Sequence, residues 1–486
     1  MPAAALAAVR TAAFAACLVL GLASCKMDMD DSAGGGRLAF YIDRATAYNL
    51  NSAGGRIIEA SVAAERSAAD YSGLYLDISI TGAVEQTKTV SVKEGTVVAF
   101  DQLPAGGTVQ VKAEAYRRSA AYGRLVYFEG MSEPFVIQPG DNAITLPVAM
   151  LSRCVPLTFE AITDGTITIA RKWSTLRYTQ NGGALTAPVS DSIDVTAGDV
   201  VCLYAAGSEN PDDQLSNCMN ITSSADCYLY GNVMSLLTLS GEDWNPHASV
   251  IAQDYAFESL FNQSGSDTHL KSHASKQLCL PAVTLSRYCY DYMFSGCAGL
   301  TRTPELPAIA LADSCYHAMF NRCTGLTASP ALPAETLADF CYSEMFSGCT
   351  GLTAAPALPA LTLADGCYKE MFNGCTELTS APELPAMTLA EVCYWNMFVG
   401  CTGLTASPVL GAPVLVKRCY ETMFANCSKL NTITCLATNK GAENALSNWV
   451  DGVASSGTFY KASAATWETG DSGIPSGWTT ADYSGN

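Results

Sequence analysis

Two stretches in the first half of the chain alternate apolar and polar residues with the two-residue period of half-buried β-strands. The first, residues 37–151, contains runs such as 76–80, and glycine- and proline-containing turns such as 104–107 separate its runs. The second, residues 152–250, continues with runs such as 165–169. Several short strands at such spacing are typical of an antiparallel β-sandwich. We therefore predict a β-sandwich domain and, after it, a second β-rich domain.

The pattern changes near residue 280, where a 26-residue repeat begins. Every unit carries two cysteines, a Met-Phe pair and a closing leucine. A period of this length is typical of a solenoid, in which each unit buries its apolar side against its neighbours. The first cysteine series is Cys289, Cys315, Cys341, Cys367, Cys393 and Cys419, and the second is Cys297, Cys323, Cys349, Cys375, Cys401 and Cys427.

Within one unit, the spacing predicts a helix followed by an extended segment. Leu311, Cys315 and Met319 lie four residues apart, which places them on one face of a helix. Pro330 and Pro333 cannot continue a helix, so the segment before and between them is predicted to be extended. A helix and a short strand in each repeat predict an α/β leucine-rich-repeat solenoid with capping half-units at both ends.

The cysteines of the repeats are predicted to be buried, reduced thiols in the core of the solenoid, because they share the apolar helix face. Cysteines eight residues apart on a helix are too distant for a disulfide, whereas equivalent cysteines of adjacent units could come closer. Cys218 and Cys227, in the second β-rich stretch, are the best candidates for a disulfide. The even spacing of the cysteines argues against a zinc cluster, so no metal or other cofactor is predicted.

The N-terminus has the layout of a secretory signal, with Arg10 followed by an uncharged apolar run. Leu22, Ala23 and Ser24 before Cys25 resemble the lipobox that lipoprotein signal peptidase cuts, which implies a lipid anchor on Cys25. The acidic stretch after Cys25 resembles the signals that sort some bacterial lipoproteins to the exterior face of the outer membrane. An ordinary signal peptide with an incidental Cys25 is the alternative. No later segment is long and apolar enough to span a bilayer.

Composition narrows the choice of partners. The 486 residues carry 27 Lys and Arg against 46 Asp and Glu, a net charge of -19, which would repel nucleic acid. Hydrophobic residues make up 49% and charged residues 15% of the chain, as expected for a folded protein. We therefore predict protein partners, and contact with a membrane only through the lipid anchor.

The repeat resembles the BspA-type leucine-rich repeats of bacterial surface proteins over about residues 250–440. The shared features are the apolar-Phe step, the cysteine three residues after that Phe, the leucine three further on and the Leu-Pro-Ala connector. The tail around Trp449 and Trp478 is similar to the segment that closes many such proteins. This resemblance implies non-catalytic adhesion to host matrix proteins, epithelial cells or other bacteria.

Other motifs carry weaker signals for chemistry. His269 and His273 have the spacing of a two-histidine metal site, but their polar segment favours a solvated loop. Residues 470–475 look like the serine signature of trypsin-like proteases, but no histidine has the flanking residues of a catalytic base, so a turn is the better interpretation. No catalytic residue is predicted.

The exposed side of the extended segments is the predicted partner-binding surface. If the prolines and leucines there point inward, their neighbours point outward. These neighbours are small and weakly polar, which favours weak binding over a broad area. The predicted partner-binding residues are Thr303, Glu305, Ser329, Ala331, Ala355, Ala357, Ala381, Glu383, Ser407 and Val409.

The sequence thus predicts a surface lipoprotein that binds host or bacterial partners without catalysis. Two alternatives remain: a structural component of the envelope or of a surface fibre, and a hydrolase with its site in the β-domains. The predicted segments are a signal peptide (1–24), a lipidated tether (25–36), the sandwich (37–151), the second β-rich domain (152–250), the solenoid with its caps (251–436) and a C-terminal cap segment (437–486).

Overall fold

The computed structural model describes residues 36–41, 74–91, 97–103, 107–119, 123–136, 149–150, 154–207, 218–240, 243–263 and 267–484. The predicted signal peptide and Cys25 lie outside these residues. The chain divides into two compact units, the first comprising residues 1–156, 179–185 and 240–247 and the second the remainder. The described fold is almost entirely β, with one short 3₁₀ helix at Val233–Leu236. No helix among the described residues could cross a membrane.

The first unit is built mainly of antiparallel strands, as its alternating sequence predicts. Its strands are β1 (Gly36–Tyr41), β2 (Leu74–Gly82), β3 (Gln86–Ser91), β4 (Val97–Leu103), β5 (Thr108–Ser119), β6 (Gly123–Met131), β7 (Phe135–Val136) and β8 (Ala149–Met150). One sheet has the order β3-β2-β5-β6-β8, and β1 pairs separately with β4. Along β2, Leu76, Ile78 and Ile80 are buried while the residues between them are partly exposed. The period-two pattern therefore identifies the core side of this sheet.

Most of the second β-rich stretch falls in one compact unit with the repeats, whereas residues 179–185 and 240–247 belong to the first unit. Its strands, with the short ones that follow, are β9 (Leu157–Ala161), β10 (Gly165–Ala170), β11 (Arg177–Gln180), β12 (Ser192–Val195), β13 (Val200–Tyr204), β14 (Asn220–Ser223), β15 (Cys227–Asn232), β16 (Leu239–Ser240), β17 (Asp243–Trp244), β18 (Leu270–Ser272) and β19 (Leu278–Cys279). Strands β18 and β19 both pair in parallel with β15. The rings of Phe159 and Phe261 lie 6.1 Å apart in a shared core. Most of residues 157–239 therefore lie in the same compact unit as the repeats.

The prediction of a helix in each repeat is wrong. The segments 288–297, 314–323, 340–349, 366–375, 392–401 and 418–427, which we call the turn segments, contain no helix. Every fourth residue in them has a positive φ, as at Tyr288 (56°), Tyr292 (52°) and Gly296 (79°). An α-helix requires a negative φ at every residue, so the backbone instead forms a succession of tight turns.

Hydrogen bonds in the turn segments alternate between two kinds of partner. Met293 N–H donates to the carbonyl of Tyr290 within the same unit (3.2 Å), whereas Phe294 N–H donates to the carbonyl of Met319 in the next unit (2.9 Å). The same two bonds recur in the next unit, where Met319 bonds to Tyr316 and Phe320 to Met345. In all of these bonds between units the donor lies in the earlier unit. Tertiary contact thus replaces the hydrogen bonds that a helix would make within itself.

The predicted core residues are buried although their backbone is not helical. The two repeat cysteines, the tyrosine after the first of them and the Met-Phe pair are at most 2% exposed in all six units. Equivalent rings stack on each other, with Tyr316 and Tyr342 5.7 Å apart and Phe320 and Phe346 also 5.7 Å apart. Glycine follows the turn segment in most units because the previous unit lies so close: a Cβ on Gly325 would be 2.3 Å from the carbonyl oxygen of Ala298.

All 18 cysteines in the described part of the chain are free thiols. Those of the second series each donate to a phenylalanine carbonyl of the preceding unit, as from Cys349 to Phe320 (3.0 Å). The proposed Cys218–Cys227 disulfide is absent, since Cys218 donates to the Glu258 carboxylate (3.1 Å) and Cys227 lies beside the Ser223 hydroxyl (3.5 Å). The thiols of the second series, of Cys218 and of Cys227 thus each lie beside a polar group other than a cysteine.

The stack of units is covered at both ends. At its start Phe257 stacks on Tyr290 and Phe261 on Phe294. At its end Trp449 lies 6.1 Å from the ring of Phe424. A parallel sheet follows in the order β20-β21-β22-β23, formed by Ala406–Leu410, Thr432–Cys435, Thr458–Lys461 and Thr479–Asp482. The C-terminal segment thus continues the packing of the repeats.

We predict that the repeat cysteines are unreactive until the protein unfolds. Burial raises the pKa of Cys349, Cys367 and Cys427 to about 12, so almost no thiolate is present at pH 8. Iodoacetamide should leave these thiols unmodified in native protein and alkylate them without prior reduction in guanidinium, as read by peptide mass spectrometry. Cysteines that become alkylated only after reduction would instead show disulfides.

Candidate interaction surface

The extended segments between the turn segments present a repeated exposed face. We call the residues 303–309, 329–335, 355–361, 381–387 and 407–413 the connectors. Within each, burial alternates: in the second connector Pro330, Leu332 and Ala334 are buried, while Ala331 and Pro333 are exposed. Pairing between units is in register, as at Thr336 and Thr362, 26 residues apart. Equivalent residues therefore form files that run across the units.

The predicted alternation of inward and outward residues on the connectors is present. The first outward position of each connector is half-buried, and the second is exposed. The half-buried residues are Thr303, Ser329, Ala355, Ala381 and Ser407, and the exposed ones are Glu305, Ala331, Ala357, Glu383 and Val409. The structure thus brings all ten predicted residues onto one face, in two neighbouring files. Among the connectors only 407–413 contains a regular strand, at Ala406–Leu410. It has Gly411 where the other four have a second proline, which cannot donate to a ladder.

A third file on this face consists of large apolar side chains that the sequence analysis missed. Ile309, Leu361 and Met387 occupy the same position of their connectors and are 66%, 63% and 58% exposed. Glu335 takes this position in the unit between Ile309 and Leu361. Exposed apolar residues aligned in this way are typical of interaction surfaces. The signal in the sequence was the variable residue after each Leu-Pro-Ala phrase. We call Ile309, Glu335, Leu361 and Met387 the apolar file.

An acidic file lies four residues after the apolar file in the three units that carry Glu335, Leu361 and Met387. The same position holds Asp313, which pairs with Arg287, in the unit before and Lys417 in the unit after. Asp339, Asp365 and Glu391 are exposed. The Asp339 carboxylate accepts a hydrogen bond from the Asp365 N–H (3.1 Å), and the Asp365 carboxylate accepts one from the Glu391 N–H (2.9 Å). We call these three residues the acidic file. The carboxylates of Asp339 and Asp365 are thus each held against the backbone of the next unit.

A different file, on the turn segments, joins opposite charges from unit to unit. His317 lies 2.8 Å from Asp291 and 3.6 Å from Glu344, and Lys369 lies 3.3 Å from Glu344 and 3.2 Å from Glu370. Burial lowers the pKa of His317, but its hydrogen bonds to Asp291 and Glu344 outweigh this effect and raise it to about 9. Burial raises the pKa of Asp291, although the hydrogen bond from His317 opposes this shift. These groups satisfy one another and stabilise the stack.

Trp395 continues this charged file as an aromatic platform. The ammonium of Lys369 lies 5.1 Å from the centre of the Trp395 ring, and the guanidinium of Arg418 lies 4.9 Å from it. Cations at these distances are attracted to the ring face. The Trp395 ring therefore makes cation–π contacts with the units on both sides of it.

The two histidines with metal-like spacing have separate partners. His269 Nδ1 lies 2.5 Å from the Asp267 carboxylate, while His273 Nδ1 accepts hydrogen bonds from the N–H groups of Ser275 and Lys276. Part of the segment, expected to be a loop, is strand β18. Among the described residues no group of three or more His, Cys, Asp or Glu could hold a metal ion.

The sequence that resembles a protease signature forms a turn. Gly473 N–H donates to the carbonyl of Gly470 (2.9 Å), and the Ser472 hydroxyl accepts from the backbone of Asn448 (3.1 Å). The carbonyl of Gly473 accepts a hydrogen bond from the indole of Trp449 (2.9 Å). These contacts anchor the C-terminal segment to the repeats.

The first unit carries an open cleft of about 440 Å³ on strands β2, β3 and β5. Lys112 lines it, with its ammonium 2.8 Å from both Glu114 and Glu129. Hydrogen bonds to these two carboxylates raise the pKa of Lys112, so it stays protonated at neutral pH. A protonated amine is not a nucleophile, and this lysine acts as an ion-pair partner.

Comparison with known proteins gives no significant match to any family model, curated protein or solved structure.

We predict that His317 stabilises the protein at neutral pH and loses this effect in base. Its folded pKa of about 9 exceeds the ordinary value of 6.5, so its contribution is complete below about pH 6.5 and disappears as the pH rises through 9. A shift of this size corresponds to about 3 kcal/mol. His317→Gln should lower the melting temperature at pH 6, and the gap to wild type should narrow by pH 10. His269→Gln is the matched control, and a gap that does not change with pH would contradict the prediction.

Proposed function

We propose that the protein is a surface lipoprotein that adheres to other proteins without catalysis. In this proposal its repeats form a solenoid of the BspA-type leucine-rich-repeat class, and acyl chains on Cys25 hold the chain to the exterior face of the outer membrane. The repeated exposed connector face carries the proposal. It combines aligned apolar side chains with carboxylates on a framework of in-register hydrogen bonds.

The partners proposed for this face are matrix or cell-surface proteins of a host, or proteins of other bacteria. The two files of predicted residues hold small side chains, which make poor anchors on their own. Ile309, Leu361 and Met387 add apolar area that an interface can bury. Many copies anchored on one cell would bind together more strongly than one copy alone, because the later contacts form at high local concentration.

The adhesion proposal predicts that replacing apolar side chains on the connectors weakens attachment. Purified protein comprising residues 26–486 should bind immobilised matrix proteins or cultured epithelial cells saturably, and the double variant Leu361→Ser, Met387→Ser should bind at least tenfold more weakly. Val189 is fully exposed outside the connectors, so Val189→Ser is the matched control. Equal melting temperatures would show that the variants are folded.

Two results would contradict this proposal in different ways. Unchanged binding by the double variant would remove the connector face as the adhesive site. Absence of saturable binding by the wild type would reject adhesion to these partners, and large detergent-resistant assemblies on cells would then favour a structural role in the envelope.

The anchoring proposal predicts that Cys25 carries the lipid. Cells expressing the protein should incorporate labelled palmitate into it, and Cys25→Ala should abolish the label and release the protein from the membrane fraction. Cys17→Ala is the matched control within the same segment. A secreted, unlabelled wild type would show an ordinary cleaved signal peptide.

A further inference from the structure

The connector face is strongly acidic as well as apolar. Residues 323–391 contain eight acidic residues and one basic residue, Lys369. Lys369, Glu344 and Glu370 all belong to turn segments and are paired with one another, which leaves six acidic residues outside the turn segments in this range. The side of the units that carries the connectors thus has no basic residue in this range.

The carboxylates of this face are available to a partner. Within the part of the chain that the structure describes, no cation lies within ion-pairing distance of Asp339, Asp365 or Glu391. The same holds for Glu335 and Glu383, which lie among the exposed apolar side chains. A partner that covers this surface must bring positive charge, because burying unpaired carboxylates is costly.

The spacing of the units fits the repeat of an α-helix laid along the files. Stacked rings in neighbouring units are 5.7 Å apart between Tyr316 and Tyr342 and 5.9 Å apart between Tyr342 and Tyr368. One turn of an α-helix rises about 5.4 Å, so side chains spaced alternately three and four residues apart stay on one face at nearly the spacing of the units. A helix parallel to the apolar file would therefore present one side chain of the same face to each unit.

The apolar file and the acidic file would contact two different sides of such a helix. Its apolar stripe would cover Ile309, Leu361 and Met387, and its flanking Lys or Arg side chains would meet the acidic file. Glu335 interrupts the apolar file and would receive a cation from within the stripe. The four units from Ile309 to Met387 span three steps between units, which corresponds to three helical turns or about 11 residues.

We propose that the connector face binds a cationic amphipathic α-helix of a partner protein, with its axis along the apolar and acidic files. This inference rests on the proposed adhesive function and specifies the chemistry of its partner. Apolar contacts would fix the position of the helix along the units, and the carboxylates would select helices that carry positive charge.

Synthetic peptides of about 18 residues test this occupant directly with the protein of residues 26–486. The first peptide combines Leu and Lys at helical spacing, the second has the same composition in strict alternation, and the third replaces Lys by Glu at helical spacing. Fluorescence anisotropy at physiological salt should show saturable binding of the first alone. Circular dichroism should show that it becomes helical in the complex. Equal binding of the alternating peptide, or binding of the acidic one, would overturn the proposal.

Variants of the two files separate charge from apolar contact. Asp339→Asn, Asp365→Asn, Glu391→Gln keeps the side-chain oxygens that accept backbone hydrogen bonds, so it should remain folded. It should bind the helical cationic peptide at least tenfold more weakly and with less salt dependence. Leu361→Ser, Met387→Ser should weaken binding to a similar degree.

The controls carry equivalent changes elsewhere. Glu133→Gln removes an exposed carboxylate and Val189→Ser an exposed apolar side chain, both outside the connectors, and neither should change peptide binding. Equal loss in these controls would show general electrostatic or hydrophobic attraction and overturn the proposal.

The outcome is distinguishable from that of the adhesion experiment. If the protein attaches to cells or matrix through the connectors but does not bind the helical peptide, the helical partner is wrong and the adhesive function stands. If the peptide binds but no attachment occurs, the surface recognises cationic helices while the proposed matrix or host-cell partners are wrong.

Discussion

The repeats depend on hydrogen bonds that close between successive units rather than within a helix. Each turn segment places every fourth residue at positive φ, so that alternate N–H groups point to the next unit. These bonds are satisfied only if successive units repeat the same local conformation in the turn segments, because an unpaired buried backbone group is costly. The number of residues between turn segments can differ, since Phe257 N–H of the first cap makes the same bond to the Cys289 carbonyl at a separation of 32 residues. The caps at both ends follow from the same requirement.

This backbone also explains why the core repeats the same residues. Stacked units bring equivalent side chains face to face, and only residues that pack on copies of themselves fit. Tyrosine and phenylalanine stack flat, and the second cysteine is small enough for the core while its thiol donates to a carbonyl that lies between units. Because the core consists of the same residues in every unit, it carries little variation that could specify a partner.

The residues that differ between units lie mainly on the surface. They form files of equivalent positions, and the files have different roles. The charged file of the turn segments pairs Asp291, His317, Glu344 and Lys369 with each other and stabilises the stack. The acidic and apolar files beside the connectors have no comparable partners of their own. The two files differ in pairing because of the charges in adjacent units. In the charged file opposite charges alternate from unit to unit, whereas in the acidic file all three charges are negative. The charged file therefore neutralises its own charges, whereas the acidic file can pair with cations of a partner.

The sequence alone determined the unit length, the burial of the cysteines and the aromatic residues, and the outward side of the connectors, because these depend on which residues recur and on the alternation of side chains in an extended chain. It led to the wrong backbone in the turn segments. Cys315, Met319 and Cys323 recur at intervals of four, which places them on one side both of a helix and of a chain of turns with a positive φ at every fourth residue. A helix drifts by about 40° over four residues, so a strict period of four favours the second. Only the tertiary structure decided between them, because the hydrogen bonds that select the turns are made with residues 25 positions away. The tertiary structure likewise showed that Ile309, Leu361 and Met387 form one exposed file, since their alignment arises from the stacking of units and not from neighbours in the chain.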